Sequence, residues 1–163
     1  MRGFMYEITR STEELFSTSE NDFYGGSFVG AECEYIEDYS DEETMKIAED
    51  LTSCLARFGA KTGKEVTTID AGRVAPWFIV TPALKVNWFK DRYETFMREV
   101  RGLSLRDFAD PCKAYNLRRL VEDQYGDMTC GGYGSDWMTF DEFIRSSEVG
   151  AKYYIGSVMK LKW

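Results

Sequence analysis

The sequence predicts an α+β fold: one domain over 1–163, a mostly antiparallel sheet of about 4–5 strands packed against 3–4 helices. Three observations point there. The chain has 163 residues, 44% hydrophobic and 15% aromatic, enough to build a buried core and too aromatic for a disordered acidic segment. Stretches of period two and of period 3.6 both occur. Their order is strands, a helix, more strands, then helices and a last strand, which is not a regular βαβ alternation.

Residues 3–9 alternate, with Phe4, Tyr6 and Ile8 on one face, and read as a short strand. Residues 12–16 suit one helical turn, and Asn21 to Gly26 is a turn-rich break. Alternation returns from Ser27 to Ile36, with Val29, Ala31, Cys33 and Tyr35 on one side and Glu32 and Glu34 on the other, a half-buried strand with an acidic face. Ser40-Asp41-Glu42-Glu43 is a capping box, followed by Met45, Ala48, Leu51, Leu55 and Phe58 at helical spacing and a stop at Gly59. A helix over about 41–58 follows.

Lys64 to Asp70 and Trp77 to Val80 read as two further strands, the second bounded by Pro76 and Pro82. A long helix is expected over about 84–101, where Phe89, Tyr93, Phe96, Met97 and Val100 form an apolar stripe assigned to the core. A shorter helix starts at Ser104, and another runs from the Asp110 cap and Pro111 through Leu117, Leu120, Val121 and Tyr125 to Gly126. Asp127 to Ser135 is a glycine-rich loop, and Thr139-Phe140-Asp141-Glu142 is a second capping box that opens a short helix. Residues 153–163 alternate apolar and basic side chains, a C-terminal strand expected to pair near the N-terminal one.

Charge is polarised along the chain. The first fifty residues hold fourteen acidic side chains against three basic ones, whereas residues 51–120 hold thirteen basic against seven acidic. Such a field speaks of partners and association, not of fold.

Most catalytic chemistry finds no foothold. The chain has no histidine, which removes Ser-His and Cys-His pairs and most catalytic zinc sites. Four cysteines at 33, 54, 112 and 130 form no CxxC pair, and reduced, structural thiols are expected. Gly59-Ala60-Lys61-Thr62-Gly63-Lys64 has three residues between its glycines and Glu65 after the lysine, so it reads as a helix cap and basic turn, not a phosphate loop. The Gly26–Gly30 and Gly131–Gly134 clusters read as turns. Ser157 and Lys160 match S-x-x-K but sit three apart in a strand, on opposite faces. No catalytic residue, metal site or cofactor is assigned.

With no run of about eighteen apolar residues, no membrane span is expected. The first residues, MRGFMYEITR, lack a secretory apolar region, so a cytoplasmic location is expected. Glu32, Glu34, Glu37, Asp38, Asp41, Glu42 and Glu43 place seven carboxylates within twelve residues. The expected function is therefore a non-enzymatic acidic interaction protein. It would occupy the cationic surface of a nucleic-acid-binding partner, as inhibitors of the anti-CRISPR or anti-restriction type from phages or mobile elements do. The alternative is a nucleic-acid-binding module over 85–119, using Lys85, Lys90, Arg92, Arg98, Arg101, Arg106, Lys113, Arg118 and Arg119 with interleaved aromatics. A carboxylate-dependent hydrolase is a lesser alternative, and acidic-to-basic pairing between copies would give a homo-oligomer.

Overall fold

The computed structural model describes residues 2–67, 72–122 and 126–163. Among them, seven strands form one mixed sheet: β1 (Arg2–Thr9), β2 (Tyr35–Asp38), β3 (Lys61–Val66), β4 (Val74–Ile79), β5 (Met128–Cys130), β6 (Met138–Thr139) and β7 (Lys152–Lys162). The helical segments are α1 (Asn21–Tyr24), α2 (Phe28–Ala31), α3 (Asp41–Arg57), α4 (Pro82–Arg101), α5 (Leu105–Phe108), α6 (Pro111–Glu122) and α7 (Phe140–Ser146). Thr68, Ile69 and Asp70 of the expected third strand, and Tyr125 near the expected end of α6, lie outside the described residues.

The sheet runs β3-β4-β7-β1-β5-β6, with β2 paired to β7. The eleven-residue β7 is its axis, antiparallel to β1 on one edge. On its other edge, β4 pairs with residues 152–154 and β2 with residues 159–162. The expected pairing of the terminal strands is present. The expected sheet is corrected in two ways: it has more strands, and β1 and β5 run parallel. β5 and β6 are three and two residues long, too short to show a period in sequence.

Both sheet faces are covered. On one, Tyr6, Ile8, Tyr153, Ile155 and Val158 pack against Ala48, Leu51 and Leu55 of α3, Leu84 of α4 and Phe140, Phe143 and Ile144 of α7. On the other, Met5, Met159 and Leu161 meet Phe23, Phe28, Cys33 and Ile36. The expected strand over 27–36 is not there. Gly30 takes φ +98°, and Phe28 and Cys33, five residues apart, enter one core cluster, which period-two alternation forbids. Of that stretch, Tyr35 and Ile36 pair with β7 and the Glu34 amide adds one bond to it.

α3 starts at the Ser40 capping box and ends at Phe58, followed by Gly59 at φ +107°. α4 is capped by Thr81 with Pro82 in its first turn. Leu84 is its buried residue and Phe89 packs half-buried on the core, but the stripe beyond is not core: Phe96, Met97 and Val100 are half-buried and Tyr93 is 62% exposed. The second half of α4 instead packs against α6, itself joined to α5. All four cysteines are free; Cys33 and Cys130 are buried, Cys54 is half-buried and Cys112 is exposed.

Glu7 holds the sheet to its loops. β1 and β7 pair Tyr6 with Val158 and Ile8 with Ile155, so β7 carries a bulge at 156–157. Glu7 has 0% exposure; its carboxylate accepts from the amides of Phe16 (2.8 Å), Ser17 (3.1 Å) and Ser157 (2.8 Å) and from the Thr18 hydroxyl (2.9 Å). Gly156 is required beside it, because a Cβ there would run into the Glu7 carboxylate.

Candidate functional site

Strand β2 brings the acidic residues to the margin of the sheet. Its alternation sends Glu37 and Asp38 to opposite faces. Glu37 lies opposite Lys160, whose Nζ is 3.4 Å from Oε2, and it also accepts from the Tyr35 hydroxyl. The Tyr35 hydroxyl first, then Lys160, holds the Glu37 carboxyl below the usual range. On the other face the Glu20 amide donates to Asp38 (2.9 Å), while the Asp38 amide donates to the Glu20 carboxylate (3.1 Å). Burial first, then the charges of Glu20 and Asp22, pushes the Asp38 carboxyl up against the opposing amide bond.

One residue past Tyr39, α3 adds Asp41, Glu42 and Glu43 where its macrodipole favours negative charge. Asp41 bridges to Arg73 at 2.8 Å. Glu43 closes the capping box, and its carboxyl is held low by the Ser40 hydroxyl and then the Ser40 amide. The result is an acidic ridge along the sheet margin, with Glu37 and Asp38 on opposite faces of β2: Glu37, Asp38, Asp41, Glu42 and Glu43 are all exposed, and the Glu20–Asp38 exchange brings a second acidic stretch, Glu20 and Asp22, beside them.

Glu32 and Glu34 do not share a strand face as expected. Glu34 extends the β2–β7 ladder by one amide bond to the Lys162 carbonyl (2.8 Å). The Glu32 carbonyl accepts from the Trp163 indole, and Glu32 lines a separate groove with Trp137 and Glu142. Both are exposed, but they stand at the far end of β2 from Asp41.

The basic residues are dispersed. Lys85 donates to the Arg145 carbonyl (3.0 Å), Lys90 pairs with Glu94 (3.8 Å) and Arg92 with Asp141 (3.1 Å). At ~1.5 Å per residue, Lys85 and Arg101 are about 24 Å apart along α4, with Asp91, Glu94 and Glu99 between them. Arg98 donates to Thr95 (3.5 Å) and, with Lys113, lines a small cavity that also holds Glu99 and Asp107. Arg106 lies in α5 and Arg119 in α6. Arg118 borders an open apolar groove with Phe96, Phe108 and Val121.

The sequence reading missed a pocket. Phe4, Tyr6, Phe58, Trp88 and Phe140 enclose a cavity of about 500 Å³ between β1, α3, α4 and the start of α7. The rings meet edge-on or tilted, with centroids 5.2 Å apart for Phe58–Trp88 and 5.4 Å for Trp88–Phe140. Asp50, Asp91, Arg92 and Asp127 also line it. Its one signal in sequence is the run of aromatics at core-like positions, and periodicity cannot tell a filled core from a walled cavity. The pocket lies beside the ridge, since Phe4 pairs with Lys160 across the strands and packs its ring on Tyr39 (6.1 Å). Among the described residues no three His, Cys, Asp or Glu side chains are grouped to hold a metal ion, and no helix is long and apolar enough to cross a membrane.

Compared with known proteins, the chain matches no family model, no curated protein and no solved structure, so the geometry of these surfaces carries the functional argument alone.

Proposed function

We propose that the protein is a non-enzymatic binding protein whose acidic ridge enters the cationic cleft of a nucleic-acid-binding partner and blocks it, in the manner of anti-CRISPR or anti-restriction inhibitors. The observation that carries this reading is the Glu20–Asp38 exchange, which joins two acidic stretches eighteen residues apart into one margin. Seven carboxylates stand there against Lys160, Arg73 and, one turn into α3, Lys46. Carboxylates leaving both faces of a strand can meet both walls of a cleft, and a cleft built for phosphates attracts carboxylates at low salt.

Competition tests it. A protein captured from a bacterial lysate at low salt should be released by duplex DNA, because both polyanions seek one cleft, and nuclease treatment should leave the capture intact. The variant Glu37→Lys, Asp41→Lys, Glu42→Lys should lose the partner at least tenfold, while Glu13→Lys, Glu32→Lys, Glu34→Lys, of equal charge change, should retain it. Equal loss in both sets would reduce the effect to net charge and sink the ridge; capture abolished by nuclease would move the function to the basic segment.

A further inference from the structure

We propose that the aromatic pocket binds a small primary or secondary ammonium ion carrying an apolar body. The inference is independent of partner binding by the ridge. A cavity of about 500 Å³ falls within the ~300–1,000 Å³ range of small-molecule sites, and a single side chain inserted from a partner would leave most of it empty. Five aromatic residues line it, and aromatic rings attract cations.

Charge points the same way. Asp50 of α3, Asp91 of α4 and Asp127 ahead of β5 line the pocket, and burial pushes the Asp127 carboxyl up, so Asp50 and Asp91 supply the firmer negative charge. The one lining cation, Arg92, has its Nε on Asp141 and its guanidinium 5.8 Å from the Trp88 ring centroid. Trp88 is fixed in turn by its indole N–H, which donates to the same Asp141 oxygen at 2.6 Å. The Asp127 carboxylate is braced by the Phe4 amide at 3.0 Å.

Tyr6 supplies the separate observation. It is 3% exposed and lines the pocket, yet its hydroxyl makes no hydrogen bond with the described residues. Buried hydroxyls are ordinarily partnered, and an unmet one on a cavity wall is a place for a ligand atom. Burial, then the charges of Asp127, Cys54 and Asp50, pushes the phenol up, so it stays protonated and neutral. A neutral phenol offers lone pairs to an ammonium N–H and no charge to an anion. That selects an amine with N–H groups over a quaternary one.

Isothermal titration of the full chain with three matched probes at neutral pH decides it: 2-phenylethylammonium, the neutral 2-phenylethanol and the anionic 3-phenylpropionate. The ammonium should bind at least tenfold tighter than the alcohol and the anion not at all, shifting the Trp88 indole N–H resonance, identified by its absence in Trp88→Phe. Asp50→Asn with Asp91→Asn, both exposed and so harmless to folding, should weaken the ammonium about tenfold and spare the alcohol. Tyr6→Phe should weaken the primary ammonium severalfold but not its N-trimethyl analogue. The proposal is overturned if the alcohol or the anion binds as tightly as the ammonium, if none of the three binds at 10 mM, or if the aspartate changes leave ammonium affinity unaltered.

Discussion

Glu7 is a carboxylate with no solvent exposure and no cation in its hydrogen-bond set, held by three amides and the Ser17 and Thr18 hydroxyls. Hydrogen bonds to a charged group contribute about 1.5–3 kcal/mol each, and a donor left unmet in the interior costs a similar amount. Replacing one carboxylate oxygen by an amide NH₂ sets donor against donor, so Glu7→Gln should lower unfolding free energy by about 2–4 kcal/mol in urea titration. An unchanged midpoint would mean that the bulge and the 16–18 loop do not depend on this charge. The cysteines give a second check at this scale. Burial pushes the Cys33 and Cys130 thiols up, whereas Cys112 is exposed, so a thiol reagent should modify Cys112 first and Cys33 and Cys130 only on unfolding.

At the scale of elements, α3 joins the core to the ridge. Its buried stripe, Ala48, Leu51 and Leu55, packs on the sheet, and Leu55→Ala should cost about 2–5 kcal/mol. Its first turn is acidic, and the Ser40 cap is what makes that arrangement stable. Ser40→Ala should cost about 1 kcal/mol at neutral pH. The sign of its pH dependence follows from Glu43, whose folded carboxyl is held low by Ser40. That contribution is complete above the unfolded carboxylate pKa and is lost as pH falls through the folded value. In Ser40→Ala the difference from wild type should therefore shrink towards acid, measured by thermal unfolding across the carboxylate range. α4 behaves differently: its start packs on the sheet, and its second half joins α5 and α6, leaving Leu105 86% and Phe108 70% exposed. The double change Leu105→Gln, Phe108→Gln should leave the unfolding midpoint nearly unchanged, since little area is lost from the core; a large drop would place both side chains inside.

For the molecule as a whole, the acidic ridge and the aromatic pocket lie beside each other across β2, β7 and β1, while the basic residues run out along α4 to α6. Internal bridges already engage part of each set: Glu37 with Lys160, Asp41 with Arg73, Arg92 with Asp141. In each pair one partner is half-buried and the other solvent-exposed; screening at the exposed end keeps the contribution to roughly 1 kcal/mol, so rearrangement on binding costs little. The triple ridge reversal should consequently leave thermal stability within a few degrees of wild type while weakening the proposed partner at least tenfold. A collapse in stability would instead make those carboxylates part of the fold.

What the sequence determined by itself were the features written in neighbouring residues: the Ser40, Ser104 and Thr139 caps, the Gly59 stop, the α3 stripe and the alternation of β1; in β7 the bulge at 156–157 puts Tyr153 and Ile155 on one face and Met159 and Leu161 on the other. Their hydrogen bonds and periods close within one turn or one strand, so no distant contact is needed to set them. Tertiary structure decided the rest. β5 and β6 exist because neighbouring strands offer free edges, not because two or three residues specify them. The alternation of 27–36 gave way to a turn at Gly30 that brings Phe28 and Cys33 into one cluster with Ile36 of β2. The site followed the same rule. The carboxylates from Glu37 to Glu43 are legible as a run, but their union with Glu20 depends on a backbone exchange across eighteen residues. The pocket depends on where α3 and α4 stop short of β1, and packing alone sets that distance.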